Sequence, residues 1–268
     1  LGGTGRDLYT VGDGFDGDFV DLGGDEIIVG DGFSSENLNF YDVTTSVAIT
    51  FTSTTGGTAT SAAGDSLSFD NVDGFDGALG VGGTFDASLA AFDVTFYDYG
   101  GMTSVIGSEF GDILGAYGAD PLGITDRYYD GGGGDDQLDT GDGNDTILGG
   151  LGNDSIYSRD GNDSVDGGAG DDEIYDSAGA STLIGGAGND TIFAGVDSDR
   201  DMIVLADGSG SDTVTQFDLT DSGDGSTVDQ LDVSALTSDG GTTPVTTADV
   251  VVTDTNGDGT GDAILTFP

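Results

Sequence analysis

The stretch GGGGDDQLDTGDGNDTILGGLGNDSIYSRDGNDSVDGGAGDDEIYDSAGASTLIGGAGNDTIF, residues 131–193, decides the fold of this chain. It divides into seven contiguous units of nine residues, and position four of every unit is glycine. Position eight is always aliphatic: Leu138, Ile147, Ile156, Val165, Ile174, Leu183 and Ile192. Position six is aspartate except at Ser181: Asp136, Asp145, Asp154, Asp163, Asp172 and Asp190. A regular core is thus combined with a regular array of negative charge.

The period of nine matches neither the 3.6-residue period of a helix nor the alternation of a long strand. It predicts a short strand at positions seven to nine, followed by a six-residue turn rich in glycine, the residue that adopts positive φ at least cost. Two units then form one coil of eighteen residues, and the position-eight side chains stack inside successive coils. The repeat therefore predicts an all-β chain built as a parallel β-solenoid.

The density of aspartate has an energetic consequence. Stacking brings the position-six aspartates of units n and n+2 to about 4.7–4.9 Å, the spacing of neighbouring strands. At an effective dielectric of about 20, two charges at that spacing repel by roughly 3–4 kcal/mol, whereas burial of one Ile or Leu contributes about 1.5–3 kcal/mol. Repulsion therefore exceeds the gain from core burial unless a divalent cation, held by these carboxylates and by turn carbonyls, reverses the balance.

The composition restricts any metal site to oxygen ligands. The 268 residues include 51 acidic side chains and four basic ones, all arginine, with no Lys, His or Cys, and the formal net charge is −47. Thiolate and imidazole ligands, disulfides and histidine-dependent nucleophiles are therefore excluded. Carboxylates, hydroxyls and carbonyls suit calcium above all.

Leu, Ile, Val and Phe make up about 24% of the chain. This is above the level of roughly 20% below which disorder is expected, so we expect the chain to be conditionally ordered.

The seven units closely resemble the GGxGxDxUx nonapeptides of the RTX (repeats in toxin) family, secreted bacterial proteins with haemolysin-type calcium-binding repeats. The resemblance implies a right-handed β-roll loaded with several calcium ions, and type I secretion of an unfolded chain that folds on exit. The likeness is to RTX proteins whose repeat region can precede a self-processing Hint domain. In that family the metal is held by the position-six aspartate and by turn carbonyls. The implied ligands here are the six aspartates above with Gly132, Gly134, Gly143, Gly150, Gly152, Gly161, Gly168, Gly170, Gly186 and Gly188.

The aspartates alternate between two sides of the predicted solenoid. One side is uninterrupted and carries Asp136, Asp154, Asp172 and Asp190. The other runs through Asp145, Asp163 and Ser181, so we expect the metal sites beside Ser181 to be weak or empty. After Phe193 an enlarged unit places Asp201 at position six and Ile203 inside. A final unit, residues 207–215, contributes Gly210, Asp212 and Val214.

Further candidate sites flank the array. GGTGRDLYT, residues 2–10, fits one unit with Asp7 at position six, and IGSEFGDIL, residues 106–114, makes Asp112 a candidate ligand. The N-terminal acidic stretch is equally compatible with metal binding and with a solvated turn at Asp13, Asp16, Asp18, Asp21 and Asp25. DTNGDGTGDAIL, residues 254–265, matches four ligand positions of an EF-hand loop but has Leu265 where the glutamate belongs. We expect a calcium-binding turn between two strands there, with ligands Asp254, Asn256, Asp258 and Asp262.

These patterns divide the chain into four segments. Residues 1–35 carry RTX-like calcium turns, 36–105 form wider β-helical coils or a separate β-sandwich-like insert, 106–215 form the nonapeptide β-roll, and 216–268 form a β-rich C-terminal cap. Arg127 and Arg159 are expected to form surface ion pairs of little energetic consequence. Core positions are expected for the aromatic residues Phe40, Phe51, Phe69, Phe92, Phe96 and Tyr97. Because the sequence ends at Pro268 on a strand-like pattern, we expect it to be one piece of a longer polypeptide.

The predicted function is that of a secreted, extracellular or cell-surface calcium-binding module that folds when calcium binds, without catalytic activity of its own. It would serve as a building block of a surface layer, matrix, filament or adhesin, with self-association as one route to assembly. The alternative is the secretion and folding tail of a larger secreted polysaccharide- or protein-degrading enzyme whose catalytic part lies outside this chain. The acidic surface argues against nucleic acid and membrane partners, and the varied turn positions argue against an ice-binding threonine ladder.

Overall fold

The structure is a computed structural model, and contacts divide the chain into two compact units, Leu1–Gln137 and Leu138–Pro268. It describes residues 8–10, 16–18, 25–29, 37–39, 47–61, 66–70, 74–77, 82–98, 101–116, 126–197, 199–206, 210–218, 229–235, 251–254 and 263–266. Within these ranges every regular element is a β-strand, so none of them forms a helix that would cross a membrane. The all-β prediction is confirmed.

The strands of the first unit are short. They are β1 (Leu8–Thr10), β2 (Asp16–Asp18), β3 (Asp25–Val29), β4 (Asn37–Asn39), β5 (Val47–Phe51), β6 (Gly56–Ser61), β7 (Ser66–Asp70), β8 (Gly74–Gly77), β9 (Gly83–Asp86), β10 (Thr95–Asp98), β11 (Met102–Ile106), β12 (Ile113–Ala116) and β13 (Tyr128–Gly133). One sheet has the order β1-β3-β7-β6-β5-β9-β11-β13, and the other has the order β2-β4-β8-β10-β12.

Most neighbours in these sheets are parallel, but three consecutive strands interrupt the pattern. β5 pairs with β6, and β6 with β7, in antiparallel fashion. The outer members of this group return to parallel pairing, β7 with β3 and β5 with β9. The strands of 47–98 therefore extend the sheets of this unit through an antiparallel excursion. The four-segment division of the sequence stays a prediction.

Aromatic rings form the core of the first unit. Phe69 and Phe75 contact edge to face with centroids 5.1 Å apart, and Phe85 stacks on Phe96 at 4.5 Å. The fully or almost fully buried rings are Phe51, Phe69, Phe75, Phe85, Phe96 and Tyr129. The expectation of a core position is thus confirmed for three of the aromatic residues predicted, whereas Phe92 and Tyr97 are half-buried. Phe40 lies outside the described residues.

The prediction that Arg127 forms a surface ion pair is wrong. Its side chain is 2% exposed and lies opposite the fully buried carboxylate of Asp98, with Nε 3.8 Å from Oδ2. A charge in such a position is costly unless its counter-charge is buried beside it. The two residues therefore depend on each other for burial.

The second unit contains the repeat. Its strands are β14 (Gln137–Asp139), β15 (Thr146–Leu151), β16 (Ser155–Asp160), β17 (Ser164–Ala169), β18 (Glu173–Ala178), β19 (Thr182–Ala187), β20 (Thr191–Phe193), β21 (Met202–Ala206), β22 (Thr213–Thr215), β23 (Gln230–Ala235), β24 (Val251–Asp254) and β25 (Ala263–Thr266). The two larger sheets have the orders β15-β17-β19-β21-β23 and β14-β16-β18-β20-β22. Successive strands thus lie in opposite sheets, which is the arrangement of a β-roll.

The pairing confirms the eighteen-residue coil. Neighbouring strands are parallel, and position-eight residues of units n and n+2 lie opposite each other, as in Ile156↔Ile174 and Ile174↔Ile192. The same register continues past the regular array through Ile203 and Val214. None of the position-eight side chains is exposed: Leu138, Ile147, Ile156, Val165, Ile174, Leu183, Ile192, Ile203 and Val214.

The predicted strand length is wrong. The regular strands have six residues, covering positions seven to nine of one unit and one to three of the next, and only positions four to six turn. Between β15 and β16, for example, the turn is limited to residues 152–154. The glycine-rich positions extend because their backbone groups pair with the neighbouring coil, as Gly150 does with Gly168. Backbone pairing in the stack thus outweighs the weak strand propensity of glycine.

Strands β24 and β25 form an antiparallel pair in which Asp254 lies opposite Ala263. The prediction that residues 254–265 join two strands is therefore confirmed. The connecting residues lie outside the described part of the chain, as does Asp7.

Candidate metal centre

The position-six aspartates form two buried ladders in the second unit, tied to the backbone of the neighbouring coil. On one side the main-chain N–H of Asp154 donates to Oδ1 of Asp172 (2.8 Å), and that of Asp172 donates to Oδ1 of Asp190 (2.9 Å). The ladder continues to Asp212, whose Oδ1 accepts the N–H of Asp190 at 3.2 Å. Each carboxylate therefore has one oxygen fixed by the coil before it.

The second oxygen of several of these carboxylates is buried without a hydrogen bond. This holds for Oδ2 of Asp163, Asp172 and Asp190, in side chains that are 3%, 1% and 1% exposed. Buried polar atoms in folded proteins almost always have a partner. A row of such carboxylate oxygens fits a cation as that partner.

Glycine carbonyls face the same spaces between coils. A Cβ placed on Gly168 would meet the carbonyl oxygen of Gly150, and one on Gly170 would meet that of Gly152. Every glycine predicted as a carbonyl donor has positive φ, from 88° to 149°, a conformation that side chains disfavour. Glycine at positions two and four thus lets the main chain of one coil approach the carbonyls of the next.

Position one of a unit lies against the position-six carboxylate of the same unit. A Cβ on Gly149 would come within 2.5 Å of Oδ2 of Asp154, and one on Gly167 would come equally near to Oδ2 of Asp172. No three acidic side chains are grouped to hold a metal among the described residues. A site here would therefore combine one or two carboxylates with main-chain carbonyls, a donor set that fits calcium.

Burial makes these carboxylates weak acids in the metal-free chain. The pKa of Asp163 and of Asp172 is raised to about 7, mainly by loss of solvent and also by the charges of neighbouring aspartates, against the lowering effect of the N–H groups. The same cause raises the pKa of Asp190 to about 6 and that of Asp201 to about 8. Without a cation, ionisation of these buried carboxylates is thus less favourable than ionisation of an exposed aspartate.

The second ladder passes through the irregular unit. The N–H of Asp145 donates to Oδ1 of Asp163 (2.8 Å), and the N–H of Asp163 donates to Oγ of Ser181 (3.2 Å). The N–H of Ser181 then donates to Oδ1 of Asp201 (2.8 Å), which confirms the position assigned to Asp201 in the enlarged unit. Ser181 therefore preserves the backbone connection although it lacks a carboxylate.

Sequence reasoning missed the last member of this ladder. Oδ1 of Asp229 accepts the N–H of Asp201 at 3.0 Å, and its Oδ2 accepts the N–H of Asp218 at 2.6 Å. Asp229 is buried, and Leu231, two residues later, lies opposite Ile203. The spacing of aspartate and aliphatic residue by two, as in the nonapeptide, is the signal that marks it.

A further polar ladder runs along position five, which the sequence analysis did not single out. The side-chain oxygen of Asn153 accepts the N–H of Asp171 (2.7 Å), and that of Asp171 accepts the N–H of Asn189 (2.8 Å). On the other side, Oδ1 of Asn144 accepts the N–H of Asn162 at 2.9 Å. These exposed residues hold successive turns together in the opposite direction to the aspartate ladder. Their signal is the Asn or Asp that occupies position five in all units but one.

The remaining candidates are Asp112 and Asp136 in the first unit and the residues of the two terminal motifs. In the first unit, Oδ1 of Asp136 accepts the N–H of Asp112 at 2.6 Å. Both oxygens of Asp112 accept hydrogen bonds, from the N–H of Val94 (2.6 Å) and from the N–H of Ser108 (2.5 Å). Asp112 thus already fixes three segments of chain, and its metal role stays a prediction. The side chain of Asp254 and the residues Asp7, Asn256, Asp258 and Asp262 lie outside what the structure describes.

Arg159 occupies position two, where most units have glycine, and its φ is 71°. Its guanidinium forms a bidentate pair with Asp139, with Nε–Oδ1 3.0 Å and Nη2–Oδ2 2.5 Å, and lies 5.4 Å from the ring centre of Tyr157. The arginine side chain is 49% exposed. This pair is at the surface, as predicted.

Comparison with known families agrees with the geometry. Residues 130–165 and residues 166–201 each match the family model described as the RTX calcium-binding nonapeptide repeat (4 copies). A search of curated proteins found no match to the chain. The matched residues contain the glycine turns of the regular coils and both aspartate ladders except for their last members, Asp212 and Asp229. Residues 130–201 are therefore RTX calcium-binding nonapeptide repeats, folded as a β-roll that binds calcium at several sites.

Proposed function

We propose that this chain is a secreted structural module that folds when calcium binds outside the cell, and that it serves as a building block of a surface layer, matrix, filament or adhesin. The observation that supports this most is the row of buried position-six carboxylates, in which Asp163, Asp172 and Asp190 each have one oxygen without a hydrogen bond. Proteins with RTX repeats are typically secreted. The ligands proposed are the position-six aspartates and the glycine carbonyls beside them.

The chain's own groups prepare this switch. The N–H of the preceding coil fixes Oδ1 of each aspartate, and the aliphatic core sets the spacing of the coils. Calcium supplies the positive charge that offsets the repulsion between carboxylates. Since the ligands converge only in the coiled state, the free energy of calcium binding becomes free energy of folding. Extracellular calcium modules commonly bind at about 10⁻⁴–10⁻³ M, a range that external calcium fills and cytosolic calcium does not.

Circular dichroism during a calcium titration tests the switch. The chain in excess chelator at pH 8 should have little β structure, and millimolar calcium should produce a cooperative β-rich spectrum. Magnesium at the same concentration is the control, because its strict octahedral geometry suits carbonyl-rich flexible sites poorly. A spectrum that is already β-rich in chelator, or an equal response to magnesium, would contradict the proposal.

The role as a tail of a larger secreted enzyme uses the same switch and is distinguished from the building block by assembly. A building block should increase in sedimentation coefficient with protein concentration when calcium is present, and should not turn over acidic polysaccharides. A monomer at all concentrations favours the tail. Turnover by the isolated chain contradicts both roles.

A further inference from the structure

The unit of residues 176–184, DSAGASTLI, departs from the repeat at two positions at once. Position six is Ser181, and position one is Asp176. In the other six units of 131–193 the aspartate is at position six, and position one is Gly, Ser or Thr. Each of the seven units therefore has one carboxylate at either position one or position six, and only in residues 176–184 is it at position one.

Positions one and six share the same space in the folded coil. A Cβ on Gly149 or Gly167 would come within 2.5 Å of Oδ2 of the aspartate in the same unit. On the side that contains Ser181, the hydroxyl of Ser158 at position one lies near enough to the carboxyl of Asp163 at position six to lower its pKa. A side chain at position one thus points to the place of the position-six carboxylate. The short side chain of Ser181 leaves that place to Asp176.

The surroundings of Asp176 match this substitution. The residue is 6% exposed. Its Oδ1 accepts the hydroxyl of Ser158 at 2.7 Å and that of Ser181 at 3.3 Å. Its Oδ2 is buried without a hydrogen bond, as are the Oδ2 atoms of the regular ladder at Asp172 and Asp190. A buried carboxylate oxygen that accepts no hydrogen bond points to a bound ion or molecule as its partner.

Ser181 connects Asp176 to both neighbouring carboxylates of the ladder. Its Oγ accepts the N–H of Asp163 at 3.2 Å, and its own N–H donates to Oδ1 of Asp201 at 2.8 Å. Oδ2 of Asp163 is also buried without a hydrogen bond. Asp176 is close enough to both for its charge to raise the pKa of each. Its carboxylate therefore lies between the coils on either side.

We propose that Asp176 is a calcium ligand that supplies the carboxylate Ser181 lacks, so that the second ladder keeps a calcium site at this unit with Asp163 and Asp176 as its acidic ligands. The weak or empty site expected from the sequence is then an occupied one. This inference rests on the proposed calcium binding by the repeats. It adds a position-one ligand that the nonapeptide pattern does not contain.

The test is the number of calcium ions bound per chain, measured by equilibrium dialysis at saturating calcium with circular dichroism of the same samples. Asp176→Asn should bind one ion fewer than the natural chain. Asp171→Asn is the matched control, because it removes one exposed charge and Asn occupies position five in other units. The control should bind the natural number. The double variant Asp176→Asn with Ser181→Asp returns the carboxylate to position six and should restore the missing ion.

The outcomes separate the inference from the function on which it rests. No calcium on the natural chain contradicts the proposed function itself. Calcium on the natural chain with an unchanged number on Asp176→Asn overturns only the role of Asp176. If Asp176→Asn fails to fold even in calcium, recovery of both folding and ion number in the double variant supports the proposal. A double variant that recovers neither, or folds with one ion fewer, contradicts it.

Discussion

Asp172→Asn is expected to have opposite effects with and without calcium. Asn retains Oδ1 as the acceptor for the N–H of Asp154, which lies 2.8 Å away in the natural ladder, but carries no charge. In the metal-free chain burial raises the pKa of Asp172 from 3.8 to about 7, and that difference corresponds to roughly 4 kcal/mol of unfavourable ionisation above pH 7. Desolvation is the largest cause of this shift, and the charges of Asp154 and Asp190 add to it. The substitution should therefore stabilise the chain in chelator by a few kcal/mol.

In calcium the same substitution removes a ligand from the uninterrupted ladder and should destabilise the chain. Urea unfolding at pH 8, followed by circular dichroism in chelator and in saturating calcium, measures the change in stability under both conditions. Asp171→Asn, which removes the adjacent exposed charge, should change either midpoint little. Destabilisation of Asp172→Asn under both conditions would refute the view that the buried charge of a ladder carboxylate opposes metal-free folding.

Three further changes test other parts of the structure. Burial raises the pKa of Asp201 to about 8, against 3.8 in the unfolded chain. Between these two values the folded state holds a proton that the unfolded state has released, so β structure in chelator should decrease as pH rises from about 4 to about 8. A β content that does not change with pH would contradict this. Arg127→Ala removes the cation of a buried ion pair and should lower the free energy of unfolding in calcium by about 3–5 kcal/mol. Arg159→Ala, at the surface, should lower it by less than about 1 kcal/mol. Equal losses in urea titrations of the two variants would show that this distinction is wrong. Gly167→Ala would place a Cβ within 2.5 Å of Oδ2 of Asp172, so calorimetric titration should show weaker calcium binding, and unchanged affinity would argue against a site at that oxygen.

The coil could be predicted from the sequence because one residue type recurs at one position. Ile156, Ile174 and Ile192 are separated by eighteen residues, and any fold that buries all of them in one row must stack two units per coil. The aspartate two residues earlier is then placed without further information. The same logic extends to Val214, whose preceding aspartate, Asp212, accepts the N–H of Asp190.

Features that depend on contacts across the fold could not be predicted in this way. Glycine at positions one to three suggested a turn, but the backbone there is held extended by the neighbouring coil, as at Gly150 and Gly168. The alternating pattern of β5 to β7 specifies a buried face and contains nothing about strand direction, so the antiparallel excursion was not predicted.

Asp176 and Arg127 could not be placed correctly from the sequence for a common reason. A motif compares positions one at a time, and the closeness of positions one and six, which gives Asp176 its place, exists only in the folded coil. Arg127 was assigned to the surface from its charge, because its buried partner Asp98 is far away in the sequence and carries no recognisable pattern.

The central claim is that calcium lies between coils, against the position-six carboxylates. A crystal structure of the chain grown in millimolar calcium, with anomalous diffraction to locate the metal, tests this most directly. We predict anomalous peaks within about 2.3–2.6 Å of carboxylate oxygens of Asp154, Asp172 and Asp190. Coiled repeats with no peak at these carboxylates, or calcium confined to the outer surface, would contradict the account.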